Sequence, residues 1–134
     1  MRKLFFLFLC FSSAVEAQKV DNLPALRQKQ PFDNVVTQAM YSDSSVSSTV
    51  IWIKKEVRPH YHAMHSEQIL VIEGEGQMLL GHESIFIKPG DLIYIPRGTV
   101  HAVRVTSKLP MKVLSIQTPK FDESDRVMVQ PDNW

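Results

Sequence analysis

The chain has 134 residues, with 15 basic and 14 acidic side chains and 44% hydrophobic residues, enough for one domain built on one sizeable core. Charge this close to balance, with no basic run, excludes a nucleic-acid surface and a basic membrane patch. A single cysteine, Cys10, leaves no room for an intrachain disulfide.

The chain opens with Met1-Arg2-Lys3 and an apolar run over residues 4–11, shorter than the ~20 residues a spanning helix needs. Val15-Glu16-Ala17 then offers small or medium side chains where a signal peptidase reads. Residues 1–17 are expected to be a secretory signal peptide, cleaved after Ala17. The address that follows is the periplasm or the extracellular medium, with no membrane attachment after cleavage. Cleavage takes Arg2 and Lys3 from the 15 basic residues and Glu16 from the 14 acidic ones, leaving 13 of each. Cys10 goes with them, which excludes thiol catalysis and thiolate ligands and suits an oxidising compartment.

Residues 18–32 are polar, with Pro24 and Pro31, and read as an extended N-terminal arm that packs along a partner or stays a disordered tail. The remainder, 33–134, is expected to be one domain. Apolar runs at 35–41 and 46–53 flank the turn-like Ser42-Asp43-Ser44-Ser45, and Val50-Ile51-Trp52-Ile53 is strongly strand-forming. A run at 67–72 is expected to pair back across the short connection at 63–66. Strands follow at 77–80 and 84–87 around the Gly81-His82-Glu83 turn, then at 92–95 after Pro89-Gly90 and at 101–105 after Pro96-Arg97-Gly98-Thr99. Runs at 111–117 and 126–130 complete the set. Many short strands punctuated by Gly and Pro, with no amphipathic helix, predict an all-β barrel or jelly roll. Its open edges predict a homodimer.

One constellation carries chemistry. His60-Tyr61-His62 is followed by Glu67 and Gly74, and Gly90 by Pro96, Gly98 and His101. Alternation along a strand puts His60 and His62 on one face with Tyr61 opposite. It likewise groups Glu67 with Ile69 and Val71, and His101 with Val103 and Val105. An inward carboxylate demands a cation or a hydrogen-bond partner. Three imidazoles and a carboxylate suit one divalent first-row transition ion, Mn, Fe, Ni, Cu or Zn. Each histidine alone would read as an ordinary core or surface residue.

These eight spaced positions resemble the two-part signature of the cupin superfamily, over roughly residues 52–117. The resemblance implies a single-domain cupin, a double-stranded β-helix (jelly-roll barrel), with His60, His62, Glu67 and His101 as metal ligands and positions left for water, substrate or dioxygen. It implies a metal-dependent protein acting on a small organic molecule by oxygenase, isomerase or lyase chemistry, or a non-catalytic module binding a small ligand or metal. Two positions depart from the pattern: Lys54 stands where a glycine is usual and Val105 where asparagine is. Neither is a ligand. The His-x-His-x4-Glu spacing also resembles that of germin-like oxalate-degrading cupins, but cupins of many activities share it.

His65, beside the ligand set, is either an exposed loop residue or a substitute ligand, positioning partner or general base. His82 reads as a plain turn residue. Trp52, Met78, Phe86 and Tyr94 are expected in the core or on a pocket wall. Arg58 shares strand parity with His60 and His62 and would meet an anionic substrate, unless Pro59 bulges the strand.

Overall fold

A computed structural model describes residues 19–131 and Trp134; the signal-peptide expectation falls on residues outside these. The strands are β1 (Val35–Ser42), β2 (Ser47–Ile53), β3 (Glu56–His62), β4 (Ser66–Glu73), β5 (Gly76–Leu80), β6 (Glu83–Ile87), β7 (Leu92–Ile95), β8 (His101–Val105), β9 (Met111–Thr118) and β10 (Arg126–Met128). They form two five-stranded antiparallel sheets, ordered β1-β2-β9-β4-β7 and β10-β3-β8-β5-β6. This is the jelly-roll arrangement expected from the strand and turn pattern. No helix among the described residues is long and apolar enough to cross a membrane.

Alternation supplies the core. The inward faces of both sheets meet in a cluster that includes Ile53, Val71, Met78, Val103, Met111 and Val113, and burying such side chains stabilises by about 1.5–3 kcal/mol each. Along β9 the inward series runs Met111, Val113, Ser115, Gln117, all buried. It changes from apolar to polar towards one end of the barrel. The chain reversal after β4 is tight: Gly74 has φ 77°, and a Cβ there would lie 2.7 Å from the Met111 Cα. Only glycine meets both demands.

Three expectations are corrected here. β4 does not pair back on β3; it pairs with β9 and β7 in the opposite sheet. The link between them crosses the barrel because its backbone N–H groups find a side chain instead of a hairpin ladder. Asp125 accepts from the N–H groups of Ala63, Met64 and His65. Phe86 and Tyr94 lie on outer faces, 53% and 60% exposed, because their strand parity opposes that of the core residues Ile87 and Ile95. Trp52 is buried and Met78 is both core and cavity wall.

The N-terminal arm, described from residue 19, is held to the barrel of its own chain. It makes a short 3₁₀ turn, Leu23–Ala25, docked on the barrel's own outer surface. Lys112, 0% exposed, donates to the carbonyls of Leu23, Pro24 and Leu26 at 3.1 Å each and pairs with Glu73 at 2.6 Å. Finally, β3 carries a bulge between Val57 and His60 against β8. Pro59 has no N–H to give to the ladder, and the extra residue lets Val57 and His60 both face inward despite opposite parity. Arg58 is thereby left exposed.

Candidate metal centre

His60 and His62 come from the end of β3, His101 from the start of β8, and Glu67 from the start of β4. His60 and His101 are direct cross-strand partners, with ring centroids 4.2 Å apart. His62 lies 5.1 Å from His60 and 5.5 Å from His101, centroid to centroid. Glu67 arrives from the facing sheet, its Oε2 at 3.2 Å from His101 Nε2 and 3.8 Å from His62 Nε2. All four side chains are buried. The bulge at Pro59 and the turn at Gly98 make this convergence possible. Gly98 has φ 75° and its N–H donates to the His62 carbonyl at 2.7 Å, which ties the end of β3 to the loop that delivers His101.

The protonation pattern suits ligation. His60 Nδ1 is 2.8 Å from the Arg58 carbonyl and His101 Nδ1 is 3.0 Å from the Thr99 carbonyl. A carbonyl only accepts, so each Nδ1 carries a proton and each Nε2 is left facing the centre, where that of His101 meets Glu67 Oε2. Burial, then the neighbouring His101, push His60 down to about 3. Burial also lowers His62, with Glu67 opposing. His60 and His62 are therefore neutral at pH 7. Burial pushes Glu67 up, but hydrogen bonds from His101 and Ser115 and the nearness of His62 outweigh it and hold the group below its ordinary value. Ser115 donates to Glu67 Oε1. His62 Nδ1 is buried without a hydrogen-bond partner, a state that usually signals an unfilled role.

One ligand atom from each of His60, His62 and His101 falls within 4.8 Å of the others. The residues fit a transition metal: three imidazoles and a carboxylate held below its ordinary value, brought together at one place.

The floor opens into a cavity of about 640 Å³ whose walls include Ile51, Val57, Ile69, Met78 and Val113. Gln117 lines it, with its side-chain nitrogen 3.5 Å from His62 Nε2. Phe121 packs edge-on to His62 at 5.8 Å. Ser115, Gln117, Phe121 and Arg126 escaped the sequence reading. The polar turn of the inward β9 series was a legible signal for the first two; nothing local marked the others.

His65 is not an exposed loop residue. It is 3% exposed, its Nδ1 bonded to Asp125 and its Nε2 to the Lys120 carbonyl at 2.7 Å. Both ring nitrogens are thus engaged, one by a carboxylate and one by a backbone carbonyl. His62, His65 and Asp125 form a second compact buried group, but the His65–Asp125 pair is closed on itself. It fastens the β3–β4 link to the segment before β10.

A cupin-domain family model matches residues 49–117, a span that holds all four converging side chains. The chain belongs to the cupin family. This cupin is 38% identical over 86 residues to an uncharacterized protein of Aquifex aeolicus, covering 64% of this chain and 70% of that one. Over 72 residues it is 31% identical to the quercetin 2,3-dioxygenase of Bacillus subtilis, which covers 54% of the cupin but only 21% of the enzyme. Its fold is similar to that of Streptomyces Pac13 solved with uridine, with a TM-score of 0.65, 18% identity, and coverage of 75% and 82% of the two chains.

Proposed function

We propose that His60, His62, Glu67 and His101 hold one divalent first-row transition ion and that the cupin acts on a small organic molecule in the cavity above it. The observation that carries this is the convergence of three imidazoles, two of them braced by backbone carbonyls, and a carboxylate on the floor of an apolar cavity. When bound, such an ion supplies Lewis-acid polarisation of a substrate oxygen and, for Mn, Fe or Cu, redox chemistry. The chain's own contributions are distinct. The Arg58 and Thr99 carbonyls fix the orientation of His60 and His101. Ser115 holds Glu67 in place. The apolar walls exclude water and raise the worth of each charge inside. Oxygenase, isomerase or lyase chemistry fits this arrangement. The likeness to a quercetin dioxygenase and to Pac13, a nucleoside dehydratase, supports the enzyme reading at the level of fold.

A second reading is a non-catalytic module that binds a small ligand. The engagement of both His65 nitrogens favours it, since that ring is then unavailable as a general base. On either reading we place the mature chain in the periplasm or outside the cell, by its N-terminal composition, and as a homodimer, by its open sheet edges.

The test is elemental analysis of the exported protein beside Glu67→Ala and His101→Ala. About one equivalent of Mn, Fe, Ni, Cu or Zn per chain, lost in both variants, is expected. No metal after anaerobic reconstitution sinks the metal reading. Ligand-dependent stabilisation without turnover selects the binding module.

A further inference from the structure

We infer that Arg126 is the anchor for a carboxylate on the substrate, which makes the substrate class a small organic acid whose other end reaches the metal centre; this rests on the metal-site reading above. The register places it. In the β10–β3 pair Arg126 stands directly opposite His62, and directly opposed residues share a face. His62 faces the cavity, so Arg126 does too, and it lines that cavity.

Arg126 takes part in no ion pair among the described residues. The charges it feels are Glu67, already engaged by Ser115 and His101, and a second guanidinium, Arg58. Arg58 and Arg126 both line a smaller recess of about 280 Å³ that shares the lining residues Val35, Val57 and Arg126 with the main cavity. Glu56 lines this recess as well but is paired with Arg104 at 3.6 Å. The main cavity itself holds Arg126 and, besides Glu67, one carboxylate, the exposed Glu123. With a divalent ion seated, Arg126 tips the lining to net positive charge. A planar guanidinium fork matches a carboxylate two bonds for two.

The experiment uses cobalt-loaded full-length protein and a graded series of 2-oxo diacids, each against the derivative whose distal carboxylate is an amide. Calorimetry reads affinity, and the visible cobalt spectrum reads the metal end separately. At the best chain length the diacid is expected to bind about tenfold or more tighter than its amide. Arg126→Gln should bring the two to equal affinity with the ligand-free cobalt spectrum unchanged, and Arg126→Lys should restore part of the preference. Equal affinity in the wild type, a preference that survives Arg126→Gln, or no binding of any diacid overturns the inference. If cobalt does not bind, the metal reading fails by itself. The same diacid-to-amide ratio on metal-free protein then decides the Arg126 assignment.

Discussion

Ser115 lies beside the metal centre, and its hydroxyl, donated to Glu67 Oε1, sets which way Glu67 faces. Ser115→Ala leaves a buried carboxylate oxygen without its donor. Metal affinity should fall about tenfold to a hundredfold, read by competition with a chromogenic chelator, while the fold remains intact. Asp125 makes a different single-residue case. Its burial would raise it, but hydrogen bonds from Met64 and His65 prevail and hold it below its ordinary value. A carboxylate lowered on folding adds stability at pH above its unfolded value, and loses it as pH falls through the folded one. The barrel should therefore weaken below about pH 4. Asp125→Asn should flatten that acid limb in a series of thermal melts, and at neutral pH should cost about 2 kcal/mol by weakening the bonds to the β3–β4 link. An unchanged acid limb would remove Asp125 from this role.

At the scale of elements, strand positions and inward faces were legible because alternation and turn chemistry are written between near neighbours. The inward grouping of Glu67 with Ile69 and Val71, and of His101 with Val103, needed only a period of two. What failed was pairing. The short link after His62 looks like a hairpin, and only Asp125, 60 or more residues away, shows why it crosses between sheets. Lys112 teaches the same point. Its parity in β9 is outward, where a lysine reads as solvent-facing, but the arm covers that face. Lys112→Met should release the arm, at a cost of about 2–3 kcal/mol in denaturant melts. Proteolysis within residues 19–32 should then become faster than in the wild type, and resistance equal to wild type would show that the arm is held by other contacts.

For the whole molecule, one ion bridging both sheets should act as a staple, since His60, His62 and His101 belong to one sheet and Glu67 to the other. Binding to the folded state alone stabilises by about 4 kcal/mol at a thousandfold excess over Kd. For a domain near this size each kcal/mol is worth roughly 4–8 °C. A strong chelator should therefore lower the melting temperature by about 15 °C or more, and His101→Ala should start low and ignore the chelator. A wild-type melt indifferent to chelation would place the stability of the barrel elsewhere.

The amino-acid sequence alone determined the strand positions, the all-β class, the cupin resemblance and the four candidate ligands, because each depends on spacing within one strand or one turn. Only the tertiary structure decided which sheet each strand joins, that Lys112 is buried, that His65 is a strut and that Arg126 reaches the cavity. Those outcomes depend on partners brought together by folding from distant parts of the chain. Lys112 and the arm it holds are separated by 86 to 89 positions, a distance no local periodicity can encode.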